Sequence, residues 1–332
     1  MKATATANSN IALVKYWGKR DKELILPMNG SVSMTLDKLF TKTTVEFSEK
    51  LAKDEFVLGG KKFAGNEDEF SEVKAFLDLV RQKAKTRARA KVVSENNFPT
   101  AAGLASSASG YAALALAAGK AAGLEPDAKE LSMLARRGSG SASRSIFGGF
   151  VEWVKGKKKD GSDCYAKQIA SPEHWPEFTM ITTIVSSAEK KVKSRAGMAQ
   201  TVANCPLYRG WLDSVDKDIA DVKKGILQKD FSLVGRTAEH NCLKMHATMI
   251  ATPPGIIYWQ PSTMRIIHAV QAFRDEGLEC YFTIDAGPQV KVMCLQKDAK
   301  KIESRLKAIE GVKETHACHA GGKARLVQEH LF

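Results

Sequence analysis

The sequence predicts an α+β fold of two packed domains, and three observations carry that prediction. The chain has 332 residues, well above the roughly 150 typical of one domain. Apolar residues recur with periods of two and of three to four in unequal order, without the regular strand-helix alternation of a doubly wound sheet or a barrel. Near residue 186 the pattern changes from short strands and small-residue loops to longer amphipathic helices, so domains of residues 1–185 and 186–332 are expected.

In chain order, an apolar strand ends near Val14 and Thr41 to Phe47 alternates as a second strand. A helix over Glu67 to Ala84 and a strand over Ala90 to Ser94 lead into a glycine and serine loop, followed by an alanine-rich helix. A further helix, Asp127 to Arg136, stops at a Gly-Ser cluster, and Phe147 to Val154 and Phe178 to Val185 read as strands. Then come helices at Trp211 to Ile226, Phe231 to Met245 and Thr263 to Glu276, strands at Glu279 to Ile284 and Val290 to Leu295, a helix at Asp298 to Ile309, and a closing strand near Ala324 to Val327.

Hydrophobic residues make up 44% and charged residues 26% of the chain, which excludes disordered, collagen-like and coiled-coil classes. Tyr111 to Leu124, the longest apolar stretch, is mostly alanine and is broken by Lys120, short of the roughly 20 residues that span a bilayer. The opening Met1-Lys2-Ala3-Thr4 has no apolar core, so no secretory signal is expected. The net charge of +13 favours acidic ligands, but the densest basic run, Lys155 to Lys159, reads as a hairpin loop and carries no aromatic residues for stacking bases. Neither a nucleic-acid nor a membrane partner is expected. The six cysteines never fall at two-residue spacing, which argues against a zinc site or a disulfide framework and for a reducing, cytoplasmic setting.

Four segments carry chemistry. Pro99 to Gly110 combines small residues, which let backbone amides approach a ligand, with hydroxyls at Ser106, Ser107 and Ser109, just before a helix. Helix starts present unpaired N–H groups and positive potential, so this loop suits phosphate, although no Gly-Lys-Ser/Thr ends it. Close packing of a small-residue helix on a sheet would by itself explain the alanines, and explains the serine cluster less well. Arg136 to Ser145 sets three arginines on flexible backbone; helix C-terminal placement accounts for Arg136 and Arg137 and leaves Arg144 for an anion. In Asn10 to Asp21, Lys15 and Lys19 are spaced to converge on one polyanion around Tyr16 and Trp17, or to lie as solvated charges at a strand edge. Asp285 ends an apolar strand before Gly287-Pro288; such an aspartate serves a turn unless the fold carries it to the other three segments.

Together with Leu26 to Asn29, Glu95 to Pro99, Ser194 to Met198 and Met245 to Thr248, these segments resemble, in order and over nearly the whole chain, the mevalonate diphosphate decarboxylase family of the GHMP superfamily. The resemblance implies a GHMP-type fold, an N-terminal ribosomal-protein-S5-like domain and a C-terminal ferredoxin-like α/β sandwich, with the active site in the cleft between them. It implies ATP and Mg2+, a phosphorylated mevalonate, phosphorylation of the tertiary C3 hydroxyl, loss of CO2 and formation of isopentenyl diphosphate. Asp285 would meet that hydroxyl, Lys15 would stand beside it, Arg144 would grip the substrate carboxylate, and Ser139 and Ser141 would orient the substrate. Ser194 and Arg195 would hold its terminal phosphates with Tyr16, Trp17 and Lys19. The loop Gly103, Leu104, Ala105, Ser106, Ser107 and Ala108 would cradle ATP, with Ser106 and Ser107 as metal contacts. A homodimer is expected from the same resemblance. Where eukaryotic members carry an arginine, Asp68 to Lys74 offers only Lys74 as a substitute, which keeps a phosphomevalonate decarboxylase in view beside a mevalonate 3-kinase-like enzyme. A non-catalytic RNA- or anion-binding protein on an S5-like fold is the alternative of another class.

Overall fold

The computed structural model describes residues 1–65, 67–98, 106–186, 188 and 190–332. The chain runs β1 (Lys2–Val14), a small ribbon of β2 (Lys19–Asp21) and β3 (Leu26–Pro27), β4 (Ser31–Ser48), β5 (Glu55–Leu58), β6 (Lys61–Phe63), α1 (Asp68–Ala84), β7 (Arg89–Asn96), α2 (Ser106–Ala121), α3 (Ala128–Gly138), α4 (Ala142–Ser145), β8 (Phe150–Trp153) and β9 (Ala166–Ala170). The second part holds β10 (Phe178–Ile184), α5 (Ser194–Asn204), α6 (Tyr208–Gln228), α7 (Phe231–Ile250), α8 (Pro261–Asp275), β11 (Cys280–Ile284), β12 (Val290–Leu295), α9 (Gln296–Lys307), β13 (Glu314–Cys318) and β14 (Arg325–Val327).

Besides the β2-β3 ribbon, two sheets carry the strands of the described residues. The first runs β14-β1-β4-β7-β5-β6, with β8 on β4 and β9 on β8; the second runs β11-β12-β10-β13, antiparallel throughout. Sheet membership changes between Ala170 and Phe178, ahead of the boundary expected near 186, because β10 pairs with β12 and β13. The closing strand β14 also crosses back, pairing with β1 in the first sheet.

Alanine decides how α2 packs. Ala112, Ala113, Ala115, Ala117 and Ala118 are all fully buried, and side chains this small let the helix lie close on β1 and β4. Ser109, expected among the ligand hydroxyls, is instead part of this seam: it is buried and bonds Thr41 Oγ1 at 2.7 Å. Helix α3 starts on a capping box between Asp127 and Glu130. At its other end Arg136 turns inward and donates to the carbonyls of Leu24, Gly161 and Cys164, so it serves the fold. A common core joins the two sheets: Ile11, Leu13, Val32 and Met34 of the first domain pack with Met180, Trp211, Met245 and Met293 of the second. The cleft that it floors is where the expected site residues lie.

Candidate active site

Strand β1 delivers the first of these residues through a break in its own alternation. Ser9 and Asn10 are consecutive, yet Ser9 bonds Ser109 of α2 and Asn10 bonds Ser145 of α4, so both face the helices. The pairing of β1 with β4 shifts register between Asn8 and Asn10, and such an irregularity re-aims every side chain beyond it. Past it, Ile11 and Leu13 fill the shared core while Ala12 and Lys15 line the cleft.

Lys15 is 1% exposed. Its Nζ donates to the Ala12 carbonyl at 2.9 Å and to Asp285 Oδ1 at 2.7 Å. Its backbone N–H donates to Asn241 Oδ1 at 2.7 Å, and Asn241 is held in turn by Asp218, which also binds Lys244. Asp285 stands just past β11, and its second oxygen lies 3.4 Å from Lys291 Nζ on β12. Burial alone would push the Asp285 carboxyl up, but the Lys15 and Lys291 ammoniums outweigh it and hold it well below the usual carboxylate range. Beneath it, α7 supports the strand end: His246 Nε2 lies 3.2 Å from the Ile284 carbonyl and the Cys242 thiol accepts from Ile284 N–H at 3.0 Å.

Arg144 reaches the same space from α4. Its Nε donates to Asn10 Oδ1 at 3.1 Å and its Nη1 to Ser31 Oγ at 2.5 Å; among the described residues no carboxylate lies within ion-pair distance of it. Burial lowers its pKa to about 10, with Asp285 and Tyr16 acting in the opposite sense, so it stays a cation at neutral pH. Ser139 Oγ lies 3.2 Å from Ser141 Oγ and 3.4 Å from Ser107 Oγ, a row of hydroxyls joining the α3–α4 turn to the start of α2. Gly140 permits that turn: a Cβ there would sit 2.7 Å from Trp153 and 2.9 Å from Tyr16.

These groups line one cavity of about 650 Å³. Lys15, Tyr16, Trp17, Lys19, Ser106, Ser107, Ser139, Ser141, Arg144, Ser194, Arg195 and Asp285 all border it. Gly103, Leu104 and Ala105 lie outside the described residues, and Ala108 is fully buried in the first turn of α2, where it has a backbone amide but no side-chain polar group to offer. The Tyr16 hydroxyl is buried without a hydrogen-bond partner, and burial raises it above the usual phenol range; such a group fits a ligand contact. Burial, with Arg195 nearby, lowers Lys19 to about 8, a shift that an arriving anion would reverse.

Sequence reasoning missed Lys190, Lys291 and Glu72. Lys190 donates to Ser194 Oγ at 2.8 Å and to the Ala286 carbonyl at 2.9 Å. Lys291 is a lysine inside an otherwise apolar strand, a signal visible in the sequence. Glu72 binds Arg195 at 2.5 Å and Asp68 binds Lys193 at 2.9 Å, tying α1 to α5 over the cleft. Lys74, the residue offered as a stand-in for the family's arginine, is exposed and does not line the cavity; from α1 it is Asp68, Ser71 and Glu72 that border the site. A second cavity of about 260 Å³ adjoins the first at Ser106, Ser107, Glu72 and Tyr111, with Phe56, Leu58, Val73, Val92 and Leu114 on its walls.

Two family models match the chain, the diphosphomevalonate decarboxylase-like N-terminal domain over residues 7–166 and the mevalonate 5-diphosphate decarboxylase C-terminal domain over residues 180–330. The diphosphomevalonate decarboxylase of Candida albicans is 39% identical over 315 residues, covering 92% of this chain and 87% of the relative. Among solved structures, MDDEF in complex with MVAPP, AMPPCP and magnesium is 44% identical with a TM-score of 0.92, covering 99% of each chain. Mevalonate diphosphate decarboxylase from Staphylococcus aureus is 40% identical with a TM-score of 0.93, covering 98% of each chain.

Proposed function

Because the chain belongs to the diphosphomevalonate decarboxylase family, we propose that it converts (R)-5-diphosphomevalonate and ATP to isopentenyl diphosphate, CO2, ADP and phosphate through phosphorylation of the C3 hydroxyl. The observation that carries this reading is the ion pair between Asp285 of the second domain and Lys15 of the first, at the wall of one cation-lined cavity. The phosphomevalonate decarboxylase and 3-kinase alternatives are not favoured.

The residues divide the work by charge. Asp285, held ionised between two ammoniums, is a weak base; it accepts a hydrogen bond from the C3 hydroxyl and aims that hydroxyl's oxygen at the γ-phosphoryl group, and as the new O–P bond forms and the bond to ADP breaks the proton passes to the phosphoryl oxygens, so the contribution of Asp285 is positioning. Lys15 offsets charge gathering on the transferring group. Once C3 carries phosphate, a good leaving group, C–O cleavage leaves positive character at C3, and the electrons of the C–CO2 bond form the alkene. Arg144 grips the carboxylate that departs as CO2, with Ser139 and Ser141 orienting the chain. Tyr16, Trp17, Lys19, Ser194 and Arg195 hold the diphosphate. Ser106, Ser107 and the amides at the start of α2 take the ATP phosphates, and the apolar second cavity takes the nucleoside end.

Mg2+ fits a site of this kind. No group of three or more His, Cys, Asp or Glu side chains that could hold a metal occurs among the described residues, while two serine hydroxyls border the phosphate region, and Mg2+ is ordinarily bound through few protein ligands plus substrate phosphates. Ser106 and Ser107 would contribute, and the ion would neutralise phosphate charge.

The domain changeover lies between Ala170 and Phe178 on this reading, with β14 returned to the first domain. A cytoplasmic homodimer belongs to the same proposal, and the free thiols, five of them buried, suit a reducing compartment. The test offers mevalonate 5-phosphate and 5-diphosphate separately with ATP and Mg2+, measures CO2 against ADP and identifies the product. Equal CO2 and ADP from the diphosphate is expected; ADP without CO2 would reduce the protein to a kinase.

A further inference from the structure

Strand β12 holds one charged residue, Lys291, in an apolar run, and that residue is 1% exposed. Val290, Val292 and Cys294 turn into the core beneath α8 and α9, so alternation sends Lys291 and Met293 to the opposite face, where Met293 joins the core shared by the two domains. The cross-strand neighbours of Lys291 are Thr182 and Thr283. Thr283 donates at 3.3 Å to the same Ala12 carbonyl that receives Lys15 Nζ. From this polar seam Lys291 Nζ donates to the Gln289 carbonyl at 3.2 Å and lies 3.4 Å from Asp285 Oδ2, while Lys15 holds Oδ1.

An ammonium in the middle of a sheet costs desolvation free energy that a valine would not. Stability therefore does not explain its presence; its contact with the carboxylate at the reacting centre does. We propose that Lys291 is a positioning residue for phosphoryl transfer: it grips the Asp285 oxygen that Lys15 leaves, and so fixes the direction in which that carboxylate meets the substrate hydroxyl. The proposal rests on the reading of this cavity as the site of C3 phosphorylation.

The groups facing Asp285 come from every element around it. Lys15 arrives at the end of β1, Lys190 from the segment before α5, Arg144 from α4 and Lys291 from β12. Cys242 and His246 of α7 are neutral, because burial raises the thiol to about 11 and lowers the imidazole to about 3. Burial lowers the Lys291 ammonium, and Asp285 opposes that. Removing Lys291 therefore takes away one of the two cations in contact with the carboxylate, leaving it looser and easier to protonate.

Lys291→Met keeps the length and apolar stem of the side chain. With ATP, Mg2+ and mevalonate diphosphate it should lose about tenfold or more in kcat with little change in either KM, and the acid limb of kcat should move up by about 1–3 pH units. In an Asp285→Asn background the same change should cost nothing further, because its effect passes through Asp285. A folded Lys291→Met enzyme with the wild-type kcat and acid limb, or losses that multiply in the double variant, would overturn the proposal. Lys291→Gln serves if the first variant does not fold. A wild-type protein that turns over no substrate would instead sink the reading of the site.

Discussion

Arg144 is 3% exposed and its guanidinium is engaged by two neutral acceptors, Asn10 Oδ1 and Ser31 Oγ. A buried cation without a carboxylate counter-ion is costly in isolation; in the role proposed for Arg144, a substrate carboxylate would remove that cost while gaining a two-pronged grip. Arg144→Lys keeps the charge and loses the fork, so kcat/KM should fall by about a hundredfold, measured with saturating ATP; kinetics within twofold of wild type would place the carboxylate elsewhere. Arg144 was legible in the sequence because helix-terminal placement left it unexplained. Lys291 was not read, since attention fell on loops and glycines rather than on a charge inside an apolar strand. Lys190 lies in a segment, between β10 and α5, whose sequence shows no pattern.

Helix α7 links an element to the chemistry through His246. Its ring stacks on Trp259 at 4.9 Å between centroids and meets the Ile284 carbonyl at 3.2 Å, so the helix props up the residue just before Asp285. Burial lowers the imidazole to about 3, below the roughly 6.5 of an unfolded chain. The unfolded state therefore binds the proton first, and this group's contribution to stability is present above about pH 6.5 and is lost as pH falls toward 3, by up to about 1.4 kcal/mol per unit. Urea midpoints of wild type should fall between pH 6.5 and 5 more steeply than those of His246→Gln; parallel curves would show that His246 carries no such linkage. Among elements, the strongly patterned helices α6, α7 and α8 were readable, whereas α5 was not, because only Gly197 and Thr201 of its residues are buried and no apolar stripe exists to read. The first half of β1 hid for a related reason: alternating alanine and threonine gives little hydrophobic contrast.

At the scale of the molecule, the two sheets are joined by a common core that spans β1, β4, β10, β12, α6 and α7, and β14 sends the end of the described chain back to the first sheet. Two domains fused in this way should unfold together, so calorimetric and circular-dichroism transitions should coincide; two resolved transitions would mean that the shared core contributes little. The two-domain character was readable from chain length and the change of pattern, and the longer helices and core strands from hydrophobic periodicity, whereas the short elements β5, β6, α4, β9 and β13 were not read. Nor were the crossings, because strand pairing over such sequence separations leaves no local signature. The net charge of +13 acquires a local meaning here, since Lys15, Lys19, Arg144, Lys190, Lys193 and Arg195 all border the cavity. A polyanion-binding protein would place no demand on Asp285. The most direct measurement is therefore turnover of Asp285→Asn with ATP, Mg2+ and mevalonate diphosphate, alongside ATP binding. Turnover should drop by about two or more powers of ten while ATP binding stays near wild type; near-normal turnover in that variant would contradict the account.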